Sequence, residues 1–530
     1  MNRKSSLLLI VLLFFWGETY AQLPHFNWAK QVSSEIQVNS MVTDSMGNLY
    51  STGIFSGSPD FDPNSGVLIL TDSGFGDIFI SKTDPTGNLL WAKRIGGTSY
   101  DEGRSISIDA NGNCYVAGFF NLDSIDFDPG VNTFLMNSLT GENSFVLKLD
   151  SNGNFVWAKQ IESAFENYAR SLTLDKQNNI LVTGRFEGTA DFDPSASIEN
   201  LSAIANAIYI LKLDVNGNFI WAKQIETILT RSHSVATDQI GNVYLAGLLV
   251  ETNDFDPSAS VYNLTNTSTS GHSLFMLKLN PLGDFLWAKQ IDNVDMIQND
   301  RSVVVDSLGN SYYGGYIVST TDFDPNSGVH SVIPSTGSDY FILKFDSDGN
   351  FSWVNQLSDV EGITMDNKSN IYTCGSNIQK FNGSGFSQWS SQNSLSSILA
   401  IPLEDDIYTS GNFSGTFDFD PDSTTFNLTS GTSGSTFIQK LSPSILSGFN
   451  EINQIENIGR VFPNPSNGVF QIQGAEIGEY VLYNSLGSIV LSFLVENSHL
   501  SNIEASLPNG VYLLQKRGGK MNFKKIVICR

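Results

Sequence analysis

A chain of 530 residues and 58.0 kDa is longer than one compact core of ordinary type can enclose, which leaves several domains or an array of repeats. Its 46 glycines, 12% aromatic residues and only 16% charged residues favour short strands and tight turns over helices, so the expected class is all-β. A formal charge of −25, with the acidic excess concentrated in residues 22–459, excludes the clustered cations that a nucleic-acid partner requires.

At the amino end Arg3 and Lys4 precede an apolar run over 7–16, followed by Thr19-Tyr20-Ala21. This order of basic, apolar and small residues predicts a signal peptide over 1–21, cleaved between Ala21 and Gln22. About ten apolar residues fall short of the roughly 20 that span a bilayer as a helix, so no transmembrane segment is expected in the mature chain.

Beyond the leader a phrase repeats. Trp occurs at 28, 91, 157, 221, 287, 353 and 389, five times opening Trp-Ala-Lys and three times the full Trp-Ala-Lys-Gln-Ile. Self-similarity on this scale marks a propeller or a solenoid. Each unit reads as four short strands, for example 105–108, 114–120, 145–149 and 155–161, the content of one propeller blade. D-x-x-G-N follows strand-like runs at Asp44, Asp84, Asp109, Asp150, Asp214, Asp238, Asp306 and Asp346. Gly accepts the positive φ of a tight hairpin, while Asp and Asn satisfy free backbone groups.

A Lys lies nine residues before the Trp in six copies, at Lys82, Lys148, Lys212, Lys278, Lys344 and Lys380. Trp28 has no such Lys, and Lys440 has no such Trp. The pairing of these two orphans predicts that residues 25–32 supply the fourth strand of the last blade, closing a ring of seven and leaving no open sheet at either end. A Gly recurs in the second strand at 53, 118, 184, 247, 315, 375 and 411, as a crowded position near the axis would require. These phrases resemble the bacterial β-propeller repeat family known as SBBP, a resemblance that implies a fold and no particular ligand. The expectation is a seven-bladed β-propeller over 22–446.

Six units carry D-F-D-P between strands two and three: Asp60 and Asp62, Asp126 and Asp128, Asp191 and Asp193, Asp254 and Asp256, Asp322 and Asp324, Asp418 and Asp420. The unit around Trp389 lacks the phrase, so the insertion is an accessory to the blade. Strand parity puts all six at one rim, where they would display at least twelve carboxylates. Two readings stand. In one, the phrase is a rigid turn, with Phe against the sheet, Pro fixing φ and Asp accepting backbone N–H groups. In the other, D-x-D oxygens hold calcium, which an extracellular setting supplies at millimolar level.

Residues 447–459 have the look of a linker, after which basic residues outnumber acidic ones. Pro463-Asn464-Pro465 with Gly468, a Tyr-Asn-Ser-Leu-Gly phrase ending at Gly487, Gly510-Val511-Tyr512 and the terminal Lys524-Lys525 follow as strand phrases between turns. About 70 residues of this kind suit a small β-sandwich. In order and spacing they resemble the type A C-terminal sorting domain of the type IX secretion system, covering 460–530. Asn484 stands where that family often has Asp. The resemblance implies that this domain engages the type IX machinery, and that the mature protein is secreted or held at the outer cell surface.

No catalytic constellation is visible. The five histidines share no repeat position, and G-x-S-x-G, P-loop and H-E-x-x-H phrases are absent. Cys114, Cys374 and Cys529 are scattered and form no C-x-x-C, which predicts neither a disulfide nor a zinc framework. The leading expectation is therefore a non-enzymatic surface or extracellular protein that binds a glycan, a protein or a cation. A polysaccharide hydrolase or lyase and a structural surface-layer component without a specific ligand are the alternatives. A pair of carboxylates at glycosidase separation is not something sequence can show.

Overall fold

The computed structural model describes residues 24–442 and 460–528, apart from 139–140, 164, 228, 269–271, 297–301, 336, 392–394, 396–397, 401–405 and 422–423 in the first span and 463–468, 474–476, 484–488, 496–500, 505–506, 508–509 and 517–523 in the second. Ala21 and Gln22, the linker 447–459, and Pro463, Asn464, Pro465, Gly468 and Gly487 lie outside the described residues. The chain separates into two compact units, at Ser444 and Ile445.

In the first unit the repeats form four-stranded antiparallel meanders. Ile36–Thr43, Leu49–Phe55, Asp77–Thr83 and Leu89–Ile95 make the 36–95 sheet. The same order recurs over 102–163, 167–227, 231–292, 294–357 and 362–390. A further sheet joins, in spatial order, Ile398–Ala400, Ile407–Phe413, Ser435–Ser442 and His25–Val32. There Trp28 stands opposite Lys440, and Val32 opposite Thr436. The describable strands are all β, with no helix among the described residues.

Packing between sheets rests on one repeated clasp. In strand three the Lys sits directly opposite the Trp of strand four, as at Lys82 and Trp91 or Lys278 and Trp287. On its other side it faces a strand-two Tyr, as at Tyr50 and Tyr244. The ammonium of Lys82 lies 4.7 Å from the Tyr50 ring centre, and that of Lys278 lies 4.9 Å from Tyr244, within cation–π range. In five of these pairs Lys and Trp then donate to the same carbonyl in the strand 3–4 turn of the next sheet. Lys82 Nζ and Trp91 Nε1 reach Ser151 O, both at 3.2 Å, and Lys278 Nζ and Trp287 Nε1 reach Ser347 O at 2.7 and 3.3 Å. The shared carbonyl is thereby saturated by one charged and one neutral donor.

The turns are built as the sequence suggests. Asp109 Oδ1 accepts the N–H groups of Asn111 and Asn113, and Oδ2 accepts from Asn113 Nδ2 at 2.7 Å. Four further turns of this kind lack the D-x-x-G-N spelling, at Asp175, Asn280, Asp366 and Asn382. The recurrent strand-two Gly owes its size to a feature other than the axis. Strand one carries a β-bulge opposite it, and a Cβ on Gly118 or Gly247 would lie 2.0 or 1.9 Å from the Glu102 or Arg231 carbonyl oxygen. A bulge turns a carbonyl into that space, and only Gly leaves room for it.

The second unit holds two sheets. One contains Arg460–Phe462, Val469–Gln473 and Ser501–Glu504, the other Ile489–Val495, Gly478–Tyr483, Gly510–Lys516 and Lys524–Ile528. Phe470, Ile472 and Ile503 from the first share a core with Tyr480, Leu482, Tyr512, Leu514 and Ile526 from the second. Two sheets enclosing one apolar layer are a sandwich.

Candidate functional site

The six D-F-D-P phrases open short hairpins between strands two and three. Thr252–Asp254 pairs with Asn263–Thr265, and Thr416–Asp418 with Asn427–Thr429. Asp60 forms a bridge with Ile69. In the 167–227 sheet the hairpin extends the long strands Ile180–Asp191 and Asn200–Leu213. The first Asp of each phrase performs one task. Its Oδ1 accepts the N–H two residues on and the N–H eight residues on, as Asp126 does from Asp128 and Phe134 at 3.0 and 2.8 Å. Asp60, Asp191, Asp254, Asp322 and Asp418 repeat this pair of bonds. The second Asp caps the following turn, as Asp62 accepts from Asn64 N, Asp128 from Gly130 N, Asp193 from Ser195 N, Asp256 from Ser258 N and Asp324 from Asn326 N. Asp420 accepts from the Thr424 hydroxyl.

Between these carboxylates the Phe goes inward. Phe127, Phe192, Phe255 and Phe323 are fully buried, and Phe61 and Phe419 nearly so. Each rests on aromatic rings of strands two or three, with centroids 5.3 and 5.1 Å away for Phe127 on Phe120 and Phe145. Carboxylates flank a ring that locks the hairpin to the sheet. Among the described residues, no group of three or more His, Cys, Asp or Glu side chains is arranged to hold a metal ion.

The hairpins do not crown the rim at which they leave, contrary to the expectation from strand parity. They fold back along the outer strand. Phe134 packs on Phe155, the first residue of strand four, at 5.0 Å, and Tyr262 does the same on Phe285 at 4.9 Å. The tip reaches the strand 3–4 turn, where Asn64 Nδ2 donates to Gly87 O at 3.0 Å. Strand four holds the hairpin from both sides. Its Gln donates to the hairpin of its own sheet, as Gln160 Nε2 to Asn137 O at 2.7 Å. Its Lys donates to the hairpin of the next sheet, as Lys30 to Asn64 and Lys289 to Asn326 at 2.7 and 2.8 Å. At one place the ladder itself continues across, with Glu162 and Ser163 pairing Asp191 and Ala190. The inward pull of the buried Phe and these two side-chain anchors explain why a rim loop lies along the outer edge.

An open groove floored by strand four thus runs along the hairpins. One, of about 370 Å³, is lined by Leu135, Lys159, Gln160, Glu162, Asp193 and Pro194 among others. Another, of about 450 Å³, has Gln290, Asp292, Asp322, Asp324 and Pro325 in corresponding places. Both offer carboxylate acceptors and amide donors beside a Pro ring. Sequence reading found the Asp residues and missed the groove, whose floor is the Trp-Ala-Lys-Gln strand read only as a repeat marker.

Of the sorting phrases, Gly510 and Tyr512 fall in the strand Gly510–Lys516, with Tyr512 buried in the sandwich core, and Lys524 and Lys525 open the strand Lys524–Ile528. No helix among the described residues is long and apolar enough to cross a membrane.

Two family models match the chain. The secretion system C-terminal sorting domain covers residues 460–529, and the SBBP β-propeller repeat covers 90–118. Among curated relatives, an uncharacterized WD repeat-containing protein of Acanthamoeba polyphaga mimivirus is 25% identical over 322 residues, spanning 51% of this chain and 23% of its own. The regulatory protein FlaEY of Caulobacter vibrioides is 23% identical over 312 residues, spanning 55% of this chain and 30% of its own. The chain therefore spans less than a third of the length of either relative. Solved structures with similarity include the WD40 repeats of RRP9, at TM-score 0.39 and 8% identity over 79% of this chain and 99% of that one. BamB from Moraxella catarrhalis matches at TM-score 0.34 and 11% identity over 79% and 98%. The 90–118 match falls on the Trp91 strand, its link and the next hairpin, and the 460–529 match on the sandwich: the chain carries an SBBP β-propeller repeat over 90–118 and a type IX secretion C-terminal sorting domain over 460–529.

Proposed function

We propose that the chain is a secreted or surface-held β-propeller of seven blades, sealed by residues 25–32, that binds extracellular glycan in the grooves along its hairpins. Export by the type IX route follows from the sorting domain. The ring reading is supported by the order of contact among innermost strands: Ile36–Thr43 touches Glu102–Ile108, and so on through the sheets to Ile398–Ala400, which touches Ile36–Thr43 again. It is supported also by Trp28 opposite Lys440.

The observation that carries the ligand class is the recurrence of one groove. A sugar presents hydroxyls that both donate and accept, together with an apolar C–H face. Gln160, Glu162 and Asp193 supply acceptors and donors, and Leu135 and Pro194 supply apolar surface. A shallow polar site of this size binds one sugar weakly, and repetition around a rigid ring converts weak sites into avidity for a polymer. The test is a glycan array probed with the full chain, with and without millimolar calcium. Retention of polymeric over monomeric forms of one glycan is expected. Absence of retention on every glycan would remove the reading, and calcium-dependent retention would return the D-F-D-P carboxylates to a metal role.

A further inference from the structure

Among the described residues of the first unit only five are arginines, in a chain of charge −25; three of them, Arg104, Arg170 and Arg231, fall on successive innermost strands, and Arg185 stands opposite Tyr168 on the adjoining strand. Their placement has a backbone cause. Strand one of four successive sheets carries a bulge at the same register, and the bulged residues are Asn39, Arg104, Arg170 and His233. The Ser after each bulge stitches its sheet to the next. Ser40 Oγ accepts Ile106 N–H at 3.3 Å, Ser105 accepts Leu172 N–H at 3.0 Å, Ser171 accepts Val235 N–H at 3.2 Å and Ser234 accepts Val303 N–H at 3.3 Å. These bonds hold the four bulges at one level. A cavity of about 300 Å³ is lined by Ser105, Ser171 and Ser234, the residues that directly follow three of them.

The charges at this level are unevenly neutralised. Arg104 pairs with Glu102 at 2.9 Å, and Arg185 with Glu166 at 3.3 Å; Glu142 faces the same four groups. Arg170 and Arg185 each lie 5.7 Å over the Tyr168 ring. Among the described residues, neither Arg170 nor Arg231 forms an ion pair. His233 beside them is 3% exposed, and neither Nδ1 nor Nε2 has a hydrogen-bond partner. Buried imidazole nitrogens are rarely left unpaired, because each forfeits hydration without return. Burial, and then the charges of Arg170 and Arg231, push the pKa of His233 down to about 3. Its neutral ring keeps one N–H donor and adds no third cation.

We propose that Arg170, Arg231 and His233 form a binding site for an oxyanion, of the carboxylate or sulfate class borne by acidic sugars, at the axis of the propeller. Two guanidiniums supply planar forked donors, the group best matched to a carboxylate or sulfate. The buried imidazole, whose ring nitrogens have no partner, supplies a third donor. The site is separate from the hairpin grooves and stands or falls without them. An anion there meets a local excess of cations that the acidic remainder of the first unit does not offer.

Titration calorimetry on the full chain with sodium glucuronate, sodium sulfate and neutral glucose tests it. Saturable binding of glucuronate or sulfate is expected, with none for glucose. Glucuronate binding at least tenfold tighter than sulfate identifies a sugar-borne anion as the ligand, and the reverse order identifies a free one. Arg231→Gln, at an exposed position, is expected to weaken binding tenfold or more, with melting of the unliganded chain unchanged. Lys176→Gln, at the far mouth beside Asp175 and Asp238, is expected to leave affinity unaltered. Equal binding of glucose and glucuronate, no saturable anion binding by the wild type, or wild-type affinity in Arg231→Gln would each overturn the proposal.

Discussion

Trp28 and Lys440 stand opposite each other in one ladder and donate to one atom, the Pro85 carbonyl oxygen, at 3.0 and 3.4 Å. Pro85 belongs to the strand 3–4 turn of the 36–95 sheet, so residues from both ends of the first unit clasp its first sheet. Tyr408 adds a third bond there, its hydroxyl donating to Gly47 O at 2.8 Å. Removal of the half-buried Trp28 ring is expected to cost about 2–4 kcal/mol, and Trp28→Phe, which loses only the N–H bond, about 1 kcal/mol. Urea unfolding followed by Trp fluorescence measures both. Deletion of residues 24–32 leaves Ser435–Ser442 as an open edge, so aggregation is expected on light scattering; a soluble deletion variant with unchanged melting would contradict the clasp.

Gly118 is held small by the bulge across from it. Gly118→Ala places a Cβ 2.0 Å from Glu102 O and 3.0 Å from the Phe145 ring. Backbone must move to admit it, and a loss of about 3 kcal/mol or more is expected. Gly431→Ala has nothing within 4 Å and is expected to stay within about 0.5 kcal/mol of wild type. Thermal melting of the two variants distinguishes a steric origin from a general intolerance of substitution at Gly.

The hairpin reading of D-F-D-P separates its residues by magnitude. Phe127→Ala removes a fully buried ring from contact with Phe120 and Phe145 and is expected to cost about 3–5 kcal/mol. Asp126→Ala frees two backbone N–H groups for about 1–2 kcal/mol, whereas Asp126→Asn keeps an accepting oxygen and is expected to cost less. Were Asp126 a metal ligand, the Asn variant would instead lose stability only in calcium, and a calcium series of melting curves tells the two apart.

Much of this architecture was readable because the repeat phrase encodes a register. A Lys nine residues before a Trp is the separation at which the two face each other across the five-residue turn, as Lys82 and Trp91 do. The turns missed from the sequence are those in which chemistry is preserved by other residues. Asn178 and Ser369 adopt positive φ of 60° and 62° where Gly stands elsewhere. Asn280 and Asp284 exchange the roles of acceptor and donor, Asn280 Nδ2 donating to Asp284 Oδ2 at 2.9 Å. The hairpins' direction was not readable from parity, which fixes where a loop leaves and not what it then buries. The Arg-Ser and His-Ser pairs at the bulges look like scattered polar residues until the ladder shows them in one register.

Asp101 gives the fold a pH dependence of defined sign. Its side chain is fully buried and accepts N–H groups from Gly97 at 2.8 Å and Asn121 at 3.0 Å. Burial nonetheless outweighs those bonds, with Asp77 and Asp123 adding repulsion, and its pKa is pushed up to about 7. The native state therefore holds this proton more tightly than the unfolded chain does. Its contribution to stability is complete below about pH 4 and is lost as pH rises toward 7, on the order of 1 kcal/mol per pH unit at most. Other carboxylates titrate in the same window, so the comparison is with Asp101→Asn, which shares them and lacks this proton. Between pH 4 and pH 7.5 the melting temperature of the wild type is expected to fall relative to that of the variant. A constant difference across the window would mean that the two backbone N–H bonds, and not burial, govern the ionisation of Asp101.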